Sequence, residues 1–326
     1  MKAAALDIGS NTVKITLFDR KKSGELVVIG KKKIAVGLIG YLQDGKISQE
    51  GIEALLSAIL DLSAFSKKHK CTKIFPFATA ALRVAENRDL IQEKILQETA
   101  LKVDLLDGLC EAALTYESLQ FSLGKSLSTD GIVLDMGGGS TELTLFHGSQ
   151  IVSSVSLPFG ALNLWQKFVA NILPVQGEAI QIAAFVQKTL LESSFPIHKA
   201  KGNLYVNGGS GCALIHFITA LDNPLLNQSD PQLPQTISIK RLKLVIADLL
   251  ALKDTTKRTL IREVPDRVHT LPTAAIGLCT LAETLGYDQI QITDAGIRDA
   301  YLRRILSRKK GKKGEKEELQ ADDQGS

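Results

Sequence analysis

Leu6-Asp7-Ile8-Gly9-Ser10-Asn11-Thr12-Val13-Lys14-Ile15-Thr16-Leu17-Phe18 reads as an apolar strand, a glycine turn and a returning β-branched strand. The same pattern recurs without a gap as Leu134-Asp135-Met136-Gly137-Gly138-Gly139-Ser140-Thr141-Glu142-Leu143-Thr144-Leu145-Phe146. Six of the 13 aligned residues are identical, at an offset of 128 residues. A repeat at about one domain length predicts two related domains, each opening with a hairpin. The two turns are then expected to face each other across a cleft.

Such a turn has a specific chemistry. Glycines let successive backbone N–H groups converge on one point, forming an anion nest. Gly9 and Gly137, Gly138 and Gly139 supply that freedom, and Ser10, Asn11, Thr12, Ser140 and Thr141 add side-chain donors for phosphate oxygens. An Asp at the strand end repels phosphate, so it makes sense as a holder of a divalent cation or of a water nucleophile. Asp7, Asp135 and Glu142 are the candidate metal ligands on this reasoning. Either turn alone is equally a plain tight hairpin; the matching pair turns the reading toward phosphate.

Outward from the hairpins, strands and helices alternate, the mark of an α/β protein. Leu26 to Val36 offers a strand pair, Gln49 to Lys68 a helix capped by Ser48, and Lys73 to Ala78 a strand. Asn87 is placed to cap a helix reaching Thr99, and another helix starts near Cys110. After the second hairpin, helices are expected at Ala161 to Val169, Gly177 to Ser193, Ile239 to Leu252 and Leu271 to Leu285. Strands are expected at Leu204 to Val206 and Ile290 to Thr293. The expected domains are 1–125 and 126–295, with a helix at about 296–307 returning to the first. Residues 308–326 carry charge without apolar pattern and are expected to be a disordered tail.

At 326 residues, 44% hydrophobic and 23% charged, the chain can build two substantial cores. A net charge of +4 lacks the concentrated basic face of a nucleic-acid binder. Four scattered cysteines without a CxxC pair suit reduced thiols in the cytoplasm. Asp7 interrupts the N-terminal apolar run too early for a signal peptide, and Leu271 to Ala282 is too short to span a bilayer. Neither DNA, RNA nor a membrane is an expected partner.

The motifs together resemble the exopolyphosphatase/guanosine pentaphosphate phosphohydrolase (Ppx/GppA) family. The resemblance lies in Asp7-Ile8-Gly9-Ser10-Asn11, Ala78-Thr79-Ala80-Ala81-Leu82-Arg83 and Asp135 through Glu142. It continues in Ser156-Leu157-Pro158-Phe159-Gly160-Ala161, Gly208-Gly209-Ser210 and Thr293-Asp294-Ala295-Gly296-Ile297-Arg298. It implies two actin-like (ribonuclease H-like) α/β domains around a central cleft. It also implies release of terminal phosphate from polyphosphate or guanosine pentaphosphate, with Mg²⁺ or another divalent cation. Guanosine tetraphosphate is a further implied ligand, and a homodimer is left open. The family's catalytic glutamate sits in Gly-x-Glu-Glu-Ala; here Gly108-Leu109-Cys110-Glu111-Ala112 gives that position to Glu111, with Cys110 replacing the first Glu. Asp107 stands where Ser is common, Ala113 where Arg is frequent, and Thr273 where Gly is more usual.

Hydrolysis of a phosphoanhydride needs in-line positioning and neutralised charge. Glu111 can orient water and accept its proton, with Asp135 and Glu142 as catalytic partners. Arg83 can fork onto phosphate, or else pair at the surface with Glu86 or Asp89. Gly208, Gly209 and Ser210 open a helix whose N–H groups suit an anion, although a strand-to-helix turn explains them too. Arg298 is expected to pair with Asp294 or Asp299. Lys31-Lys32-Lys33 and Lys67-Lys68-His69-Lys70 can steer a polyanion or simply form solvated faces. Two other readings stay open: an ATP-dependent kinase or ATPase of the same architecture, and an alarmone-binding module weakened in catalysis by Cys110 and Ala113.

Overall fold

The computed structural model describes residues 1–197, 202–223 and 236–307. The charged tail expected at 308–326 lies outside them. The first half is built from β1 (Lys2–Ile8), β2 (Thr12–Arg20), β3 (Leu26–Ala35), α1 (Gln49–Lys68), β4 (Lys73–Ala78) and α2 (Ala80–Val84). It continues with α3 (Arg88–Thr99), β5 (Asp104–Leu105) and α4 (Gly108–Leu123). Its sheet has the order β3-β2-β1-β4-β5, antiparallel across the hairpin and parallel beyond it.

The second half repeats the scheme with β6 (Asp130–Met136), β7 (Thr141–His147), β8 (Gln150–Leu157), α5 (Ala161–Phe168), α6 (Gln176–Leu191), β9 (Asn203–Asn207) and α7 (Gly208–Asp222). There follow β10 (Thr236–Ser238), α8 (Ile239–Leu250), α9 (Asp254–Glu263), α10 (Leu271–Thr284), β11 (Gln289–Thr293) and a last helix α11, 297–307. This sheet runs β8-β7-β6-β9-β11-β10, so its first five strands reproduce the first sheet's order and directions. The fold is α/β with two actin-like, ribonuclease H-like sheets.

Both faces of each central strand are covered, which is why β1 and β6 read as continuous apolar runs. Leu6 and Ile8 pack toward Leu55, Ile59 and Leu62 of α1, while Ala3, Ala5 and Phe18 on the other face meet Leu302 and Leu306 of α11. The last helix therefore closes the first sheet. Helix α4 works on both halves at once. Its Leu114 joins Phe77, Ile297 and Tyr301, and its Tyr116 and Leu119 join Val133, Phe146 and Tyr205 of the second sheet. A helix wedged between two sheets delivers its N-terminus to the junction between them.

Several local expectations change. Leu26 to Ala35 is one long strand with a bulge, in which Gly30 pairs with Leu17 and Val28 with Phe18, leaving Ile29 as the extra residue. Ser48 does cap α1, accepting from Gly51 N at 3.3 Å. Asn87 makes no cap bond; its amide brackets Ile47, donating to Ile47 O at 2.9 Å and accepting from Ile47 N at 3.0 Å. Helix α9 was invisible to periodicity, since Asp254-Thr255-Thr256-Lys257 has few good helix formers. No described helix is long and apolar enough to cross a membrane.

Candidate active site

The two turns share one construction. Gly9 N donates to Thr12 O at 3.2 Å, and Gly137 N donates to Ser140 O at 2.9 Å. In the first, Val36 N and Gly37 N bind Asn11 O, and Ile39 N binds Ser10 O. In the second, Ala161 N binds Gly137 O, while Leu162 N and Asn163 N bind Gly138 O. Asn163 Nδ2 donates to Gly139 O at 3.0 Å. With their carbonyls engaged behind them, the turns keep amide hydrogens for something else. They also touch: a Cβ on Gly138 would lie 3.3 Å from Asn11 N, and one on Gly139 only 2.9 Å from Ser10 Oγ.

Glu111 enters this junction from the first turn of α4. Asp107 caps the helix by accepting from Cys110 N at 2.7 Å. Gly108 lets the helix end press onto β8, where a side chain would collide with Ser156 Cβ at 2.4 Å. Ser156 Oγ in turn donates to Glu142 Oε1 at 2.8 Å, so one contact locks α4 to the second hairpin's acid. Arg83 Nη1 donates to Glu111 Oε2 at 2.9 Å and to Leu106 O at 3.0 Å, and Arg83 Nη2 lies 3.8 Å from Glu142 Oε1. Burial raises the Glu111 carboxyl well above the usual range, the Glu142 charge adds to the rise, and Arg83 opposes it.

Asp135 sits across the hairpin from Glu142 in direct register. Burial pushes Asp135 up to about 6, against the pull of Lys14, and Glu142 up to about 7, against hydrogen bonds from Ser140 and Ser156. Thr293 Oγ1 donates to Asn207 Oδ1 at 3.0 Å, and Asn207 Nδ2 reaches Asp135 Oδ2 at 3.4 Å, which fixes that carboxylate's orientation. Gly208 lies beside it at φ +85°, where a Cβ would stand 2.5 Å from Asp135 Oδ1. Only glycine serves there, for both strain and space.

A cavity of about 550 Å³ opens at this junction. Asp7, Gly9, Ser10, Asn11, Thr12, Glu111, Asp135, Gly137, Gly138, Gly139, Ser140, Gly208, Gly209 and Ser210 all reach its wall, as the sequence reading expects. Glu142 and Arg83 stand one layer behind, against Glu111. Arg83 is neither forked onto the cavity nor paired with Glu86 or Asp89. Its long side chain reaches the carboxylate that α4 brings alongside. Thr141 is a correction: it is fully buried, and its hydroxyl donates to Phe159 O at 2.7 Å, because the residue's face of β7 looks into the core. Ser210 reaches the wall, but its hydroxyl ties α7 to β6 through Met136 O at 2.7 Å.

Arg298 pairs with neither Asp294 nor Asp299. Its Nη1 lies 3.1 Å from Asp7 Oδ2 and its Nε donates to Thr16 Oγ1 at 2.8 Å, since α11 folds back over the first hairpin. Two cavity cations escaped the sequence reading. Lys14 stands opposite Asp7 in the hairpin register, and Arg267 follows α9. Both approach Gly209: a Cβ there would lie 2.6 Å from Arg267 Nη2 and 3.7 Å from Lys14 Nζ. Burial lowers the Lys14 pKa, opposed by Asp7 and reinforced by the charges of Arg298 and Arg267. Among the described residues neither cation has an ion-pair partner. The repeat held a signal for Lys14, which occupies the place of Glu142; Arg267 belongs to no motif.

The departures from the family pattern fall away from the cavity. Cys110 packs beside α11, with Arg304 Nη1 3.4 Å from its sulfur. Thr273 joins α10 to the start of α5 by donating to Ala161 O at 2.7 Å. As for a divalent cation, no three His, Cys, Asp or Glu side chains converge to ligand distance among the described residues, so there is no all-protein cage. Asp135 on the cavity wall, with Glu142 in register one layer behind it, nevertheless fits a cation shared with substrate oxygens, the arrangement Mg²⁺ favours, because both are buried carboxylates whose charge Lys14 and Arg83 offset only in part. Asp7 already has Arg298.

Comparison with known proteins shows the family. The profile of the Ppx/GppA phosphatase family matches residues 17–309. Exopolyphosphatase 1 of Mycobacterium tuberculosis is 23% identical over 311 residues, covering 94% of this chain and 88% of that one. The guanosine-5'-triphosphate,3'-diphosphate pyrophosphatase of Photobacterium profundum is 23% identical over 309 residues, covering 94% of this chain and 59% of its own length. The crystal structure of the Aquifex aeolicus family member superposes with a TM-score of 0.74 at 24% identity, covering 95% of this chain and 98% of that one. The chain belongs to the Ppx/GppA phosphatase family.

Proposed function

We propose that this hydrolase removes the terminal phosphate of inorganic polyphosphate or of guanosine pentaphosphate by direct attack of water, with Glu111 as the base. The observation that carries the reading is the meeting of Glu111 with both glycine turns on one cavity wall. A water oxygen forms the new bond to the terminal phosphorus while the bond to the bridging oxygen breaks, and the water's proton passes to the Glu111 carboxylate. Burial and the Glu142 charge raise the proton affinity of Glu111 well above that of an ordinary carboxylate, which strengthens it as a proton acceptor once ionised. Arg83 holds the carboxylate in place and favours its ionised form.

Charge on the substrate is met by the turn amides and, farther along, by Lys14 and Arg267. Asp135 and Glu142 would hold a divalent cation, Mg²⁺ or a relative, whose contribution is to neutralise charge on the phosphates. The test is phosphate release from both substrates with Mg²⁺, comparing the wild type with Glu111→Gln. A loss of about 10²–10⁴-fold with the unfolding midpoint retained is the expected result. A variant as fast as the wild type removes Glu111 from the mechanism.

A further inference from the structure

Helix α7 presents a stripe to the cavity at three- and four-residue spacing: Gly209, Cys212, Ala213 and His216. From Gly209 to His216 is about 10 Å along the helix axis. The stripe changes character over that length. At Gly209 it meets the cations Arg267 and Lys14. Cys212 and Ala213 are small and apolar. At the far end His216 Nε2 lies 3.2 Å from Glu263 Oε2, while Glu263 Oε1 accepts from Arg262 Nε at 2.6 Å.

A carboxylate is a poor neighbour for inorganic polyphosphate, whose oxygens are all acceptors. It is a good neighbour for a nucleobase with two adjacent N–H donors. Guanine has such a pair in N1–H and N2–H₂; adenine places a lone pair at N1 beside its amino group. The order along the stripe, cations then apolar surface then carboxylate, is also the order of phosphate, sugar and base in a nucleotide. Resting on the phosphohydrolase reading for where the phosphates lie, we infer that Glu263, steadied by His216 and Arg262, reads the guanine edge of a guanosine polyphosphate and is a specificity determinant of this site.

The experiment is equilibrium binding to the Glu111→Gln enzyme, which keeps the substrate intact. Guanosine 5'-triphosphate 3'-diphosphate is compared with its adenosine counterpart by calorimetry. Guanine is expected to bind about 30-fold more tightly, as a charge-assisted pair of hydrogen bonds allows. Adding Glu263→Gln should bring the two within about twofold, whereas Glu263→Asp, which keeps the carboxylate, should retain a preference of about fivefold or more. Equal binding by the parent, or a preference that survives Glu263→Gln, overturns the inference. Phosphate release by the wild type is scored separately. Its absence would sink the hydrolase reading and leave the base preference to stand or fall on the binding data.

Discussion

The two hairpins are the same scaffold with opposite charges at one equivalent position, Lys14 in the first and Glu142 in the second. Each fixes its turn with a glycine N–H, each has its carbonyls bound from behind, and each carries an Asp as the last residue but one of its first strand. Across the ladder the first hairpin places Lys14 opposite Asp7, and Arg298 forms the ion pair with that carboxylate. The second places Glu142 opposite Asp135, and both acids are driven up in pKa by burial. The difference between Lys14 and Glu142 at one equivalent position leaves paired acids in the second hairpin alone. On the reading proposed above, the first hairpin holds the polyanion and the second takes part in the reaction.

The sharpest way to break that comparison is to neutralise the two aspartates in turn. Asp135→Asn is expected to lower phosphate release about 10²–10³-fold with little loss of stability, since it relieves a desolvated carboxylate. Asp7→Asn should do the reverse: about 2–3 kcal/mol of stability lost because Arg298 is left partly buried without its partner, and a smaller loss in rate. Thermal unfolding and steady-state kinetics on the pair decide it. Equal effects on rate would mean the hairpins share the chemistry.

A titration separates them next. The folded protein holds protons on Asp135 and Glu142 more tightly than the unfolded chain, so stability falls as pH rises from about 4 through about 6 and about 7, and levels off above. For Asp135 alone a rise of about two units corresponds to about 3 kcal/mol. With a chelator present, the unfolding midpoint is expected to drop between pH 5 and pH 8. Glu142→Gln should flatten part of that drop, and added Mg²⁺ should recover it at pH 8. A midpoint independent of pH would contradict the account of these acids. On the other side, Lys14→Met should raise KM about fivefold to tenfold at low salt, with kcat nearly unchanged, because it removes one charge that grips the polyanion. A fall in kcat alone would place Lys14 in the reacting half.

Sequence alone revealed the frame because the frame is local. Strand, glycine turn and strand follow one another in the chain, and the repeat identified both copies. Glu111 was picked out by the resemblance of Gly108 through Ala112 to the family motif, and it lies on the cavity wall. What escaped reading depends on contacts between distant segments. Arg298 meets Asp7 across nearly the whole chain, and Arg83 is turned toward Glu111 only because α4 is wedged between the sheets. Arg267 and Glu263 lie in and after a helix of weak propensity, with no spacing to mark them. Lys14 is the instructive omission: aligned on Glu142, its reversed charge already announced that the hairpins differ.

The smallest effect concerns Thr141, whose counterpart in the first hairpin is Val13. Both are fully buried, so the repeat tolerates an apolar side chain at this position on one side. Thr141→Val makes the second hairpin match the first and leaves Phe159 O without its donor, a loss of about 1–2 kcal/mol. If the hydroxyl serves only the core, KM for either substrate stays within about twofold, because the turn amides are untouched. A KM raised about tenfold at constant stability would overturn that placement and put the hydroxyl on phosphate. The two outcomes move different quantities, so one variant, measured by unfolding and by kinetics, assigns the hydroxyl to the fold or to the site.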